Sequence, residues 1–360
     1  MKIGIITFHF SRNYGAALQA YGLQEYLKTL GHDVYIIDYR PQYLMKHFRR
    51  DSARIWLSKN PFMCIKRFCN YMQTREIRHQ RHDGFVSFVN NYQKLYPYRD
   101  GEDFNGFDFV FIGSDQVWSP FHTGGQYDDI MFGVGFKCKV ISYAPSCSQA
   151  SLNREEREYL KEHLDYLYAI SVREHHFKDM LQPLTRKEIQ VVADPSLLAG
   201  AAIFEKIAAP INRNKPYVLI YEIVHHQQVQ RIAKEIATQL NADIVELTNG
   251  MLGYHNKTMD EGASPEKFLG YIKEASCVVT TSFHGTAFSL LFQKPFYMVK
   301  QDNSADDRMS NLLKLLGLQE RIISMDAKVK FGKINYTPVS PRLEEYRHDS
   351  ILFIDKSLNE

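Results

Sequence analysis

Cysteines are few in this sequence of 360 residues, which contains five, an odd number, scattered along the chain. A disulfide scaffold or a structural zinc site would need closer pairing. Cys64 and Cys69 form a single C-x4-C pair with no second pair nearby, so zinc binding there is a poor alternative. Reduced cysteines in the cytoplasm are therefore the simplest expectation.

Long apolar runs and a strong net charge are also missing. The first eight residues are followed by the polar run Ser11-Arg12-Asn13, unlike the apolar region of a signal peptide. No stretch approaches the length that spans a bilayer, so we expect any membrane contact to be peripheral. The formal net charge is only +3 and no nucleic-acid-binding motif accompanies it, so nucleic acid is not an expected partner.

Hydrophobic residues make up 44% of the sequence, enough for substantial cores. Short apolar runs alternate with longer stretches of helical period, a pattern typical of parallel strands buried on both faces. In the first half the predicted strands are Lys2–Phe8, Asp33–Tyr39, Asp108–Ser114, Val140–Ala144, Ala169–Arg173 and Gln190–Ala193. The stretch Gly15–Leu30 predicts a helix between the first two strands, which completes a βαβ unit.

A second series follows the segment Ala199–Pro216. Its predicted strands are Tyr217–Ile223, Asp243–Leu247, Cys277–Thr281 and Pro295–Val299, with helices at Gln227–Leu240, Pro265–Ala275 and Gly285–Phe292. The predicted fold class is α/β, with two Rossmann-like, doubly wound domains over residues 1–200 and 201–340. The amphipathic tail 341–360 predicts a closing helix that packs back across the domain junction.

A basic segment interrupts this alternation within the N-terminal domain. Between Met45 and His82 there are ten Lys or Arg residues and two acidic ones, a local formal charge of +8. Aromatic and aliphatic residues are interleaved with the charges. We interpret residues 45–98 as an insertion that contains one or two basic amphipathic helices. The stretch 45–82 is either a solvated helical face or a contact with a membrane surface.

Two polar loops follow predicted strands of the first domain, at the edge where doubly wound folds bind ligands. The first contains Asn13 and Gly15, and the helix that follows offers N–H groups to an anion. A tight turn explains this loop equally well. The second loop is Gly113-Ser114-Asp115-Gln116. Although Ser114 or Asp115 would also serve as a helix cap, three polar side chains together favour a site.

The third motif is Thr280-Thr281-Ser282-Phe283-His284-Gly285. It leaves a predicted strand and enters a helix, whose N–H groups and positive dipole end bind phosphate or carboxylate. Ser282 and Gly285 are candidate contacts to that anion. His284 is the main candidate for chemistry, although a single histidine is more often structural. The helix end disfavours a protonated ring, so an acid role requires a bound anion to offset this effect.

Two arginines lie beyond predicted strands. Arg173 ends one strand, and Arg308 precedes the predicted helix Asn311–Leu316. Each fits either an ordinary salt-bridged arginine or a bidentate clamp for an anion. The run Asp194-Pro195-Ser196 is interpreted as the domain-boundary turn, with little functional weight.

In this order, the motifs resemble the polysaccharide pyruvyl transferase family. The resemblance extends over residues 1–320 and is carried by Asn13–Ala20, Gly113–Trp118, Ile170–Glu174, Ala193–Pro195 and Ser282–Gly285. It implies a bacterial, cytoplasmic enzyme with two Rossmann-like halves facing across a cleft, similar to the GT-B glycosyltransferases. One departure is Phe283, since many members have an arginine at or near this position.

The resemblance implies transfer of a pyruvyl group from phosphoenolpyruvate to a pair of saccharide hydroxyls, as a ketal, in surface polysaccharide synthesis. The acceptor is free or lipid-linked, and no metal or cofactor is implied. His284 is then the candidate general acid and Asp115 a weaker candidate base. Substrate contacts are expected from Asn13, Gly15, Ser114, Gln116, Arg173, Ser282, Gly285 and Arg308.

Two other functions stay open. A nucleotide-sugar glycosyltransferase of the same architecture would use an acidic residue for the ribose, and Glu246 and Glu261 are available. The missing arginine at position 283 would also suit a non-catalytic carbohydrate-binding relative. The aromatic residues Trp118, Phe121 and Tyr127 fit either stacking on sugar rings or buried packing.

Overall fold

Two parallel β-sheets organise the computed structural model, which describes residues 1–48, 60–147, 149–248, 259–301 and 304–359. The larger sheet consists of β1 (Lys2–Ile6), β2 (Asp33–Ile37), β3 (Leu95–Tyr96), β4 (Phe109–Ile112), β5 (Lys139–Ser142), β6 (Ala169–Val172) and β7 (Ile189–Val191). Its order is β3-β2-β1-β4-β5-β6-β7, a doubly wound arrangement whose winding reverses between β1 and β4.

The helices of this half follow the strands in the expected alternation. They are α1 (Tyr14–Thr29), α2 (Gln42–Phe48), α3 (Pro61–Tyr92), α4 (Arg154–His163), α5 (His175–Leu181), α6 (Pro195–Ala199) and α7 (Ala201–Glu205). The predicted domain boundary at residue 200 falls between α6 and α7.

The second sheet consists of β8 (Tyr217–Glu222), β9 (Asp243–Thr248), β10 (Cys277–Thr280), β11 (Phe296–Val299) and β12 (Ile322–Ile323). Its order is β12-β11-β10-β8-β9, so the winding reverses between β8 and β10. The helices are α8 (Gln227–Leu240), α9 (Pro265–Glu274), α10 (Phe283–Leu291), α11 (Ser304–Leu315) and the terminal α12 (Val339–Asn359).

Strand burial explains why local patterning identified this fold. Every residue of β4, β8 and β10 is buried, as parallel strands covered on both faces require. The largest hydrophobic cluster contains residues of both halves, including Leu18 of α1, Leu198 of α6 and Phe288 of α10. The predicted α/β class with two Rossmann-like parallel sheets is therefore confirmed.

The basic segment contains α2 and the long helix α3; residues 49–59 lie outside the described part. Asn60 caps α3 by accepting from Phe62 N (2.9 Å). The first third of the helix is exposed, whereas Phe85 and Phe88 are buried. Arg81 is also buried: it donates to the Tyr14 hydroxyl (2.7 Å) and to the Glu261 carbonyl (3.2 Å) of the second half. Arg81 therefore connects the two halves and does not belong to a solvated basic face.

The terminal helix α12 returns to the first half of the molecule. Its Ser350 hydroxyl accepts from Ala193 N (2.7 Å), and Arg347 donates to the Leu198 carbonyl (2.8 Å). Phe353 packs near the ring of Tyr143. Of the helices that the structure describes, none is long and apolar enough to cross a membrane.

We predict that Gly270→Ala strongly destabilises the protein. Gly270 lies in the middle of α9, where an added Cβ would overlap the carbonyl oxygen of Ala209 in the connection between the halves. A backbone atom cannot swing aside, so urea denaturation should show a loss of about 1–3 kcal/mol. The control is Gly106→Ala, where a Cβ meets nothing within 4 Å. Equal stability of the two variants would contradict the predicted contact.

Candidate active site

The carboxyl ends of strands from both sheets meet around His284. This residue lies in the first turn of α10, directly after β10, and its side chain is 12% exposed. Gly15, in the first turn of α1 after β1, faces the ring so closely that a Cβ there would overlap Nδ1 of His284. Gly15 therefore makes room for the ring of His284, although it was expected as a substrate contact.

Asp194 and Arg173 lie on the other side of the histidine. The Asp194 Oδ2 atom is 3.8 Å from His284 Nε2 and accepts a hydrogen bond from Arg173 Nη1 (2.8 Å). Arg173 Nε also donates to Glu174 (3.1 Å), and all three of these charged side chains are almost completely buried. The arrangement is a buried charge cluster between the two halves.

The electrostatics of this cluster favour an ionised Asp194. Burial alone would raise the pKa of its carboxyl group, but His284, Arg173 and bonds from Ser196 hold that pKa below the usual value. Burial alone would lower the pKa of Arg173, yet the carboxylates of Glu174, Asp194 and Asp115 raise it. The Asp194 oxygen nearest the imidazole is 3.8 Å away and is already bonded to Arg173, so it forms an ion pair with His284 only when the ring is protonated.

Phe283 lies at or near the position where the resemblance implied an arginine. Its ring lies 5.2 Å from the guanidinium carbon of Arg173, a cation–π distance. The positive charge near this position is thus supplied by a strand end of the other half. Because Arg173 is held by two carboxylates, it is a positioning group here and not an open anion clamp.

The first predicted loop uses its polar groups internally. The Asn13 side chain accepts from Gly15 N (2.9 Å) and Ala16 N (3.4 Å), so it caps α1 and occupies the amides that were expected to bind an anion. The predicted substrate contacts of Asn13 and of the Gly15 amide therefore compete with this cap.

The residues of the second loop differ in burial. Ser114 is fully buried and donates to the Ala144 carbonyl (2.8 Å), so it joins the ends of β4 and β5 instead of lining a cleft. No helix begins here, which excludes the capping alternative. Asp115 has a positive φ of 72° and accepts from Gln116 N (2.9 Å); both side chains are half-buried. These two remain candidate site residues.

The third loop is closely packed. Ser282 precedes α10 without a side-chain cap, and its amide donates to Thr280 Oγ1 (3.0 Å). A Cβ on Gly285 would overlap that same Oγ1, so this glycine allows α10 to approach β10. The amides of the first turn of α10 have no partners within the helix, as at any helix N-terminus.

Other predicted residues have different environments. The side chain of Arg308 lies outside the described residues. Glu246 is buried and accepts from Gln230 Nε2 (3.0 Å). Trp118 is buried, donates to the Met131 carbonyl (2.7 Å) and stacks on Phe132, so packing explains it. Within the described part of the chain, no group of three or more His, Cys, Asp or Glu side chains is placed to hold a metal ion.

Two features of this site had signals in the sequence that were not used above. Asp194 follows β7 at the same sheet edge as the other motifs, and that placement alone was a signal. Arg12, two residues before Tyr14, is partly buried near Arg81 and Arg78. Burial is the main cause that lowers the pKa of Arg12, and the charges of Arg81 and Arg78 lower it further. The loop therefore carries one cation, Arg12, with two more nearby. Arg78 and Arg81 reach it only because α3 folds against it.

The class of protein follows from this geometry: two Rossmann-like halves meet at the carboxyl ends of their strands, as in GT-B-type enzymes. A family model described as polysaccharide pyruvyl transferase matches residues 13–303, which is most of the chain. The protein belongs to the polysaccharide pyruvyl transferase family. Comparison with curated proteins found no match.

Several solved structures are similar in overall form. The MnaA–UDP structure of S. aureus has 12% identity and a TM-score of 0.44, over 99% of this chain and 90% of that one. A UDP-N-acetylglucosamine 2-epimerase from Rickettsia bellii has 9% identity and a TM-score of 0.44, over 99% of this chain and 96% of that one. ADP-heptose LPS heptosyltransferase II of E. coli has 10% identity and a TM-score of 0.38, over 99% of each chain.

We predict that Asp194→Asn destabilises the fold by about 3–5 kcal/mol at pH 7, because it leaves buried cations without their counter-charge. The lowered pKa of Asp194 means that its contribution is present above the unfolded pKa and is lost as the pH falls through the folded one. The stability difference from the unmodified protein should therefore shrink below about pH 4. Urea denaturation at several pH values measures it.

The exposed Asp100 provides a matched control. Asp100→Asn should change stability by no more than about 0.5 kcal/mol. A difference for Asp194→Asn that is absent, or constant from neutral to acidic pH, would show that the buried charge cluster does not stabilise the fold.

Proposed function

We propose that this protein transfers the pyruvyl group of phosphoenolpyruvate to two hydroxyls of a saccharide, forming a pyruvate ketal. The family membership supports the reaction class. The observation that carries the proposal is His284 at the start of α10, packed against Gly15 and backed by the buried Asp194 carboxylate. This is the arrangement of a proton donor beside an anion-binding helix end.

The donor carries two or three negative charges at neutral pH, so its site needs cations and N–H donors. The first-turn amides of α10 supply donors. Arg12 belongs to the loop that faces His284, and Arg81 donates to the Arg12 carbonyl (3.3 Å) and supports that loop. We place the phosphoenolpyruvate between these two elements, with Arg12 as a principal cation. Arg173, held by its two carboxylates, positions Asp194.

A cavity of about 180 Å³ next to the charge cluster lies between the halves. Arg173 and Glu174 contribute from the first half, and Phe283 and Leu312 from the second. Its lining contains neither Arg12 nor His284, so this cavity is separate from the proposed donor position.

In the proposed reaction, the methylene carbon of the donor gains a proton from His284, and positive charge develops on the neighbouring carbon. Two acceptor oxygens form bonds to that carbon, and its bond to the phosphate oxygen breaks. One of the two hydroxyl protons replaces the proton of His284, and the other leaves with phosphate. Asp115 is the candidate acceptor of a hydroxyl proton, because its half-buried carboxylate lies near enough to raise the pKa of Arg173.

His284→Ala should reduce turnover about 10²- to 10⁴-fold while the protein still folds, since positioned acid catalysis is lost. Gly15→Ala should also reduce turnover, because its Cβ displaces the His284 ring. The assay is release of phosphate from phosphoenolpyruvate in the presence of an oligosaccharide fraction, with circular dichroism to verify folding.

His348→Ala is the matched control, since that histidine is exposed on α12, and it should retain full turnover. Undiminished turnover of His284→Ala would exclude the acid role. Thermal unfolding distinguishes the two possible donors: phosphoenolpyruvate should raise Tm, whereas the nucleotide sugar UDP-N-acetylglucosamine should not. Stabilisation by the nucleotide sugar alone would favour a glycosyltransferase.

We also infer that the exposed start of α3 contacts an anionic membrane, where a lipid-linked acceptor would be located. Phe62, Ile65, Phe68 and Met72 are exposed at near-helical spacing; Phe62 is 83% exposed. Lys66, Arg67 and Arg75 are exposed beside them. Apolar side chains bordered by basic ones are typical of helices that lie at a membrane surface.

The double variant Phe62→Ser/Phe68→Ser should bind vesicles of phosphatidylglycerol and phosphatidylcholine roughly tenfold more weakly, because the inserted apolar area is lost. Co-sedimentation measures this, and high salt should weaken binding of the unmodified protein. Phe121→Ser, at an aromatic residue that is 84% exposed elsewhere, is the control. Equal pelleting of all forms would contradict the membrane contact.

A further inference from the structure

A large cavity of the first half has no part in the steps above. It has a volume of about 700 Å³ and is lined by residues that follow β2, β4 and β5. β2 and β4 are the two neighbours of β1 in the sheet, so the cavity opens at the same sheet edge as the Gly15 loop. A volume of this size is within the usual range for ligand sites.

Tyrosines form much of the cavity wall. Tyr39 and Tyr43 both donate to Asp128 Oδ2, at 2.7 and 2.6 Å. Tyr127 and Tyr159 stack with centroids 4.9 Å apart and 15° between their planes. These rings are half-buried, and hydrogen bonds hold three of them in place, since Tyr159 donates to Asp129 (2.5 Å). The cavity therefore has fixed aromatic surfaces.

Carboxylates supply the remaining polar surface. Asp128, Asp129, Glu155 and Glu156 line the cavity, and no Lys, Arg or His is among its described lining residues. Such a wall repels phosphoenolpyruvate and other phosphates, which separates it from the donor site. Carboxylates accept hydrogen bonds from hydroxyl groups. The buried Tyr127 hydroxyl has no hydrogen-bond partner within the described residues, and a buried phenol oxygen requires one.

We propose that this tyrosine–carboxylate cavity binds an uncharged sugar residue of the saccharide acceptor. Sugar rings present apolar C–H faces that pack on aromatic rings, and hydroxyl edges that donate to carboxylates. Both surfaces are present here, in fixed positions and without competing cations. The sugar's identity as acceptor depends on the proposed transfer reaction, whereas its binding does not.

The test is saturation-transfer NMR on the full-length protein without phosphoenolpyruvate. Lactose, cellobiose and N,N′-diacetylchitobiose are the probes. Tyr127→Ala should weaken binding of the best probe roughly tenfold, because it removes the stacked surface. Tyr127→Phe keeps the ring and removes only the hydroxyl, so binding should weaken about threefold. If circular dichroism shows that the alanine variant is unfolded, the phenylalanine variant still provides the test.

Phe121→Ala is the matched control, because this exposed aromatic lies in the same loop but not in the cavity wall. It should bind the probes as the unmodified protein does. Failure of the unmodified protein to bind any of the three probes, or unchanged binding by both Tyr127 variants, overturns the proposal.

Kinetics distinguish this proposal from the transfer reaction. If the protein is active as proposed, Tyr127→Phe should raise KM for the acceptor about threefold and leave KM for phosphoenolpyruvate unchanged. Sugar binding that depends on Tyr127, without phosphate release from phosphoenolpyruvate, would support the cavity and contradict the transfer. Phosphate release with an acceptor KM unaffected by Tyr127→Phe would support the transfer and contradict the cavity.

Discussion

The buried carboxylate of Asp194 is the group on which the site depends. A buried anion is tolerated only when cations and hydrogen-bond donors surround it, and here Arg173 comes from the first sheet while His284 comes from α10 of the second. Neutralising Asp194 therefore brings strand ends of both halves together. The same contact joins the two halves beside the first turn of α10, where the candidate acid lies.

Close approach is the second constraint. Gly15 and Gly285 are positions where any side chain would overlap a neighbour, His284 in one case and Thr280 in the other. Arg81 adds a connection through Tyr14 and Glu261. The site is thus assembled from an inter-domain contact that leaves little freedom to its parts. Close packing of this kind would hold the ring of His284 in place, as its proposed role needs.

Charge separates the proposed roles of different surfaces. The loop around Arg12 lies near Arg78 and Arg81, and it suits an anionic donor. The tyrosine–carboxylate cavity lacks described cations and suits an uncharged sugar. The exposed start of α3 combines basic and apolar residues and suits an anionic membrane. The carboxylates of the cavity would repel an anionic donor and an anionic membrane, which separates the proposed sugar site from the two basic surfaces.

The sequence by itself determined the α/β class, most strand and helix positions and the placement of polar motifs at strand ends, because hydrophobic periodicity and parallel-strand burial are local signals. Only the tertiary structure decided which polar groups form internal hydrogen bonds or ion pairs. Asn13 caps α1, Ser114 joins two strands, Arg173 binds carboxylates, and Asp194 becomes the partner of His284. These outcomes depend on partners far apart in the chain, such as Asp194 and His284, and local patterns contain no information about such contacts.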